Sequence, residues 1–142
     1  AEWRPIVNAH YRWDGPPPFL FLGLLGGVAE WLFARPGILS VTISAADAVV
    51  DRPADELLKV IWRDVARAVG ADPETPPIGR VVKEKRATFA ATQQALLQRP
   101  TTETRWGNLL LSGDWTATSL PSTIEGAILS GHRAADCVMR SS

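Results

Sequence analysis

Apolar and polar positions alternate most regularly between residues 38 and 44. There Leu39, Val41 and Ile43 interleave with Ile38, Ser40, Thr42 and Ser44. A period of two predicts a β-strand with one apolar face. Ile6 to Trp13 mixes strand-forming and polar residues and stops at Asp14-Gly15-Pro16-Pro17-Pro18, a cluster that breaks regular structure because proline fixes φ and lacks an N–H. The runs Phe19 to Leu25 and Val28 to Phe33 flank Gly26-Gly27. Two glycines in that position predict a tight type I′ hairpin. Arg35-Pro36-Gly37 predicts a second turn, so the first part reads as an antiparallel meander of three or four strands.

The period then changes. Leu57, Leu58, Ile61, Val65 and Val69 recur at helical spacing. Asp51 stands at the expected start, Pro53 suits the first turn, and Asp55 and Glu56 complement the helix dipole. Gly70 is the expected stop. After a proline-rich connection over 72–77, residues 78–89 read as extended, and 90–98 as a short helix or an ordered loop. Asn108 to Ser112 is predicted to be a short strand buried on both faces. A capped helix is expected from Ser122 to about Met139, because Ser122-Thr123-Ile124-Glu125 matches a capping box.

Composition narrows the function classes. The 142 residues carry 15 basic and 15 acidic side chains, with 46% hydrophobic and 21% charged. That is one soluble domain's worth of ordinary sequence. A balanced charge argues against a nucleic-acid partner, which calls for a basic excess. Cys137 is the single cysteine, so no intrachain disulfide is available, and a reducing, cytoplasmic setting is expected. The N-terminus has no signal-peptide pattern and no initiator Met, and reads as cut or processed. The apolar run Phe19 to Ala29 is too short to span a bilayer. His10 and His132 lie far apart with no ligand spacing around them, so no metal site is expected. The run Lys83 to Arg86 reads as a solvated face.

Chemistry concentrates between Leu109 and Ala135. A Gly113-Asp114 turn and a helix start stand close together there. A helix N-terminus offers unpaired N–H groups and a partial positive charge to an anion. A glycine admits close approach of a ligand, and an Asp accepts from a sugar hydroxyl. The helix beyond has a small-residue face made by Gly126, Ala127, Ser130, Gly131 and Ala134. Taken alone, the same residues also read as a plain turn and a plain cap.

The stretch Leu111-Ser112-Gly113-Asp114-Trp115-Thr116, followed by Pro121-Ser122-Thr123-Ile124-Glu125-Gly126-Ala127, resembles the C-terminal FAD-binding motif of the flavin amine oxidase and phytoene desaturase superfamily. Val81 to Thr92, and Gly23 to Gly27 followed by Trp31-Leu32-Phe33, are similar to its squalene-associated desaturase branch, which includes the hydroxysqualene dehydroxylases. The resemblance implies that Gly113 and Asp114 lie by the FAD ribityl and phosphate region. It implies that Thr123, Ile124 and Glu125 face the flavin through backbone N–H groups, with Trp115 as a neighbour. Amine oxidases of this superfamily commonly carry an aromatic residue where Thr123 stands, which points to the isoprenoid branch.

The same resemblance implies what else the protein would need. The eleven glycines include no pair separated by one residue, so the G-x-G-x-x-G fingerprint is absent from this sequence. The expected fold is α+β. Residues 1–106 would give an antiparallel sheet with a covering helix, part of a substrate-binding domain. Residues 107–142 would give a strand and helix that complete an FAD-binding domain whose N-terminal half is missing. An exposed face on the last helix is expected where that half packs. The implied reaction converts hydroxysqualene to squalene in hopanoid biosynthesis, with an apolar isoprenoid substrate, FAD held by the whole protein, and peripheral contact with the inner membrane face. The fragment by itself is expected to be inactive. Trp31 and Phe33, on one strand face, would line an apolar substrate tunnel. The alternatives are a phytoene desaturase-like or amine oxidase-like flavoenzyme, or a non-enzymatic module that binds an apolar ligand.

Overall fold

The structure is a computed structural model that describes residues 2–16 and 19–141. The Pro17-Pro18 part of the expected breaker lies outside the described residues. The chain divides into two compact units, Trp3–Ala87 and residue 2 with residues 88–141. The boundary falls at 87/88, so 88–106 share a unit with the final helix.

The first unit is a sheet with one helix packed on it. Strands β1 (Trp3–Trp13), β2 (Phe21–Gly23), β3 (Trp31–Arg35), β4 (Gly37–Ile43) and β5 (Gly79–Phe89) form one antiparallel sheet in the order β2-β3-β4-β1-β5. The β2-β3-β4 meander is as the pattern predicts, but β1 inserts between β4 and β5. It pairs with β4 from Val7↔Ile43 to Trp13↔Gly37. On one face Val7, Ala9, Tyr11, Leu32, Ala34, Leu39, Val41 and Ile43 are buried. Helix α1 (Ala54–Val69) covers them with Leu57, Ile61, Trp62, Val65 and Ala66. Gly70 ends α1 in the left-handed conformation, φ 71°. Pro36-Gly37 makes the β3–β4 turn with Arg35 opposite Ile38. A φ of 82° at Gly37 suits the glycine position of a type II turn.

Two local expectations change. Gly26-Gly27 does not make a two-residue turn. The β2–β3 pairing stops at Gly23↔Trp31, and residues 24–30 form a wider loop closed by Leu24 N–H to Glu30 O at 2.7 Å. Asp64 on α1 is the reason. Its carboxylate, 13% exposed, accepts from the N–H groups of Val28 at 2.7 Å and Ala29 at 3.1 Å. That draws the loop onto the helix, against which a side chain at Gly27 would collide. Asp51, expected at the start of α1, instead accepts from Lys85 of β5 at 2.7 Å, which holds its carboxyl below the usual aspartate range. Lys83 also donates, to Arg52 O. The otherwise exposed basic run therefore ties β5 to the lead-in of α1.

In the second unit α2 (Gln93–Leu97) is capped by Thr92, whose Oγ1 accepts from Ala95 N–H at 3.1 Å. Helix α3 (Ile124–Ser141) follows a long loop. The predicted strand over 108–112 does not form. One bridge, Glu103↔Leu110, joins this segment to residues 99–103, Leu109 is 44% exposed, and Thr104 Oγ1 takes the Leu109 carbonyl. An apolar run without a neighbouring strand on each side has no ladder to join.

Candidate functional site

The expected cofactor-binding residues Gly113, Asp114, Trp115, Thr123, Ile124 and Glu125 all lie in the second unit, on one loop and the helix it feeds. Ser130, fully buried on α3, accepts from Gly113 N–H at 3.0 Å and bonds Thr116 Oγ1 at 2.7 Å. Thr116 Oγ1 donates to Gly113 O at 2.9 Å, so its single proton is committed and the Ser130 proton goes to Thr116. The glycine is thus held at both its donor and its acceptor.

The capping box is displaced by one residue. Thr123 Oγ1 accepts from Gly126 N–H at 3.2 Å, and its carbonyl accepts from Ala127 N–H at 3.0 Å. Thr123, not Ser122, is the N-cap. Ser122 Oγ donates to the Asp114 carboxylate instead, which joins the Gly-Asp turn to the start of α3. With Gly126 capped, helix geometry leaves the N–H groups of Ile124 and Glu125 without an intrahelical acceptor. They stand at the positive end of the dipole.

Arg99 is the organising side chain that the sequence did not single out. Its guanidinium donates to Asp114 O and Leu120 O, both at 2.7 Å, to Thr118 Oγ1 at 3.2 Å and to Trp115 O at 3.4 Å. Its other side lies 5.1 Å from the Phe89 ring centroid. These partners lie 15 to 21 residues downstream, beyond any local pattern. The loop it braces contains Ser119 at φ 68°, a conformation non-glycine residues seldom adopt without support.

Gly113 has φ 149°, and a Cβ there would run into the Trp115 indole. Gly113→Ala is expected to cost about 2 kcal/mol from backbone strain and collision together. Urea unfolding of the single and double variants checks the second part. In a Trp115→Ala background the same change should cost measurably less.

Trp31 and Phe33 fall elsewhere, in the first unit. With Phe21 and Thr42 they line a depression of about 390 Å³ on the sheet face away from α1. Phe21 and Phe33 lie tilted against each other with centroids 6.5 Å apart. The other large tryptophan feature is internal: Trp62 packs against Tyr11 and Trp13. Among the described residues no group of three or more His, Cys, Asp or Glu side chains could hold a metal, and no helix is long and apolar enough to cross a membrane.

Residues 2–139 match the family model of the flavin containing amine oxidoreductases. The chain belongs to this family. Relatives that carry the name hydroxysqualene dehydroxylase cover nearly all of it. The one from Sinorhizobium fredii is 52% identical over 142 residues, 98% of this chain. That of Rhodopseudomonas palustris is 50% identical over 139 residues, and that of Zymomonas mobilis 42% over 140, each covering 97%. In all three the matched part is 33% of the relative's length, so the chain spans about a third of them. Within an amine oxidoreductase chain, Thr123 has a structural use that an aromatic residue could not serve, because it caps α3.

Proposed function

We propose that this chain is the C-terminal part of an FAD-dependent oxidoreductase that removes the hydroxyl of hydroxysqualene to give squalene. The observation that carries the reading is the set of hydroxysqualene dehydroxylase relatives, 42–52% identical along almost the whole chain. Exclusion of an amine substrate rests on Thr123 at the position where amine oxidases commonly carry an aromatic side chain.

The second unit suits part of an FAD site. Ile124 and Glu125 present two N–H donors to an acceptor oxygen of the cofactor. Asp114, anchored by Ser122, keeps a second carboxylate oxygen for a hydroxyl of the ribityl chain. Gly113 gives that turn its shape, Trp115 walls its side, and Arg99 fixes the loop so that the donors are oriented before binding. FAD, when bound, supplies the hydride chemistry; the protein's part is orientation and electrostatics. The remaining pocket, including a dinucleotide fingerprint, would then be supplied by parts of the intact protein outside this chain. Helix α3 leaves Ile124 and Ile128 exposed, as well as Val138 and Met139, and these are candidates for packing against it. The unit Trp3–Ala87 then serves the substrate, and the second unit, with Arg99, serves the cofactor. An apolar substrate of this kind partitions into lipid, which favours peripheral attachment at the cytoplasmic membrane face.

The test is made on the intact protein that contains this sequence. It is expected to purify with flavin absorbance and, once reduced, to turn hydroxysqualene into squalene. A protein that neither holds FAD nor can be reconstituted with it would sink the reading. The 142-residue chain by itself should show no turnover.

A further inference from the structure

Besides an Arg35–Ile38–Arg12 row at the β3–β4 turn, the sheet face away from α1 carries two cross-strand rows. One runs Phe21–Phe33–Ser40–His10 and the other Gly23–Trp31–Thr42–Asn8. Along these two rows the face changes character once. Its β2–β3 half is apolar and open, with Phe21 62%, Trp31 46% and Phe33 39% exposed. In these two rows its β4–β1 half is polar. There His10 Nδ1 bonds Ser40 Oγ at 2.9 Å, and Thr42 Oγ1 donates to Asn8 Oδ1 at 2.8 Å. Adjacent strands stand about 4.8 Å apart, so the change from hydrocarbon surface to hydrogen-bonding surface occurs within one strand spacing.

Such a face matches an amphiphile with one hydroxyl and a long hydrocarbon body. We propose that it is an isoprenoid-alcohol subsite, with Phe21, Trp31 and Phe33 against the hydrocarbon and the His10–Ser40 and Asn8–Thr42 pairs recognising the hydroxyl. This deepens the reading of the protein as an oxidoreductase of a hydroxylated isoprenoid and rests on it. The pairing fixes the histidine ring without exhausting it. If Ser40 donates to Nδ1, the proton lies on Nε2, which donates to an alcohol oxygen. If Ser40 accepts, Nε2 is the acceptor for an alcohol O–H. An alcohol can do both, so either tautomer binds it, whereas a plain hydrocarbon gains nothing from this half. His10 and Asn8 are specificity residues on this account. Trp31 and Phe33 supply affinity for both kinds of ligand.

The test uses two soluble probes, farnesol and the corresponding hydrocarbon farnesene, titrated into the isotopically labelled 142-residue chain and followed by amide NMR shifts. Shifts centred on residues 31–33 and 40–42 are expected, with farnesol bound about tenfold tighter, the value of one good hydrogen bond. His10→Phe should remove the preference by weakening farnesol, with farnesene bound at least as tightly as before. Trp31→Ala should weaken both probes alike. Thr42→Val repeats the polar test with a side chain of the same shape, and each variant's spectrum reports its own fold. Equal affinity of the two probes for the unaltered chain, shifts centred elsewhere, no shifts up to probe solubility, or a preference that survives both His10→Phe and Thr42→Val would overturn the proposal. A flavin-free intact protein would remove the oxidoreductase reading while the alcohol preference stayed measurable. Loss of the preference in a flavin-bearing protein would remove this subsite alone.

Discussion

Trp62→Ala is expected to cost about 4 kcal/mol, the range for deleting a large core aromatic. Trp62 is 1% exposed and sits where α1 meets the sheet. Its ring lies 5.2 Å from Tyr11 and 6.2 Å from Trp13, centroid to centroid, both tilted, a geometry that adds to the burial term. Its Nε1–H donates to Asp72 O at 2.8 Å, so truncation also strips the connection after α1 of its anchor. The neighbouring Tyr11 hydroxyl donates to Leu58 O at 2.8 Å, and burial pushes its phenol well above the usual tyrosine range. The bond to Leu58 O, not its charge state, ties Tyr11 in place, so it does not swing in to fill the hole. Domains of ordinary stability hold only about 5–15 kcal/mol in all, so the variant should unfold at a much lower urea concentration. Trp62→Phe separates the two contributions. It keeps most of the ring and loses the Asp72 bond, and should cost about 1 kcal/mol from that loss plus a small cavity term. Urea unfolding followed by circular dichroism, with amide exchange of α1 to place the loss in the first unit, reads both variants.

Arg99→Ala should be the most damaging single change in the second unit, at about 3 kcal/mol. Four acceptors on residues 114–120 share its guanidinium. Hydrogen bonds to a charged donor contribute about 1.5–3 kcal/mol each when partly buried, but they are not additive when one side chain makes them all. Thr118, 2% exposed, would lose its charged partner in a place water reaches poorly. The signature is local: amides from 113 to 121 should exchange faster while those of α1 keep their protection. Arg99→Lys should restore less than half of the loss. A lysine ammonium keeps the charge but cannot present the planar fork that reaches Asp114 O and Leu120 O together. Unchanged exchange over 113–121 in Arg99→Ala would show that the loop holds its shape by its own turns.

How much of this was readable from the chain depends on the reach of each interaction. The β4 strand, the face of α1 and its Gly70 stop follow from periods and punctuation a few residues long, and the structure has them where the pattern puts them. The Gly113-Asp114 turn and the helix start were legible as a motif because their residues are contiguous. The loop at Gly26-Gly27 departs from its local pattern because Asp64, on another element, captures the Val28 and Ala29 amides. The cap moved from Ser122 to Thr123 because Asp114 takes the serine hydroxyl. Ser130 belongs by pattern to the small-residue face of the helix, yet its hydroxyl holds Gly113 and Thr116.

Sequence by itself determined the α+β class, the family and the residues of the candidate cofactor loop, since periodicity and contiguous motifs are carried by local chemistry. The tertiary structure alone decided the strand order with β1 between β4 and β5, the Arg99 brace and the two-toned sheet face. The physical reason is that each of these depends on partners far apart in the chain. A backbone amide or a guanidinium bonds whatever acceptor folding brings within about 3 Å, and residue order does not encode that distance directly.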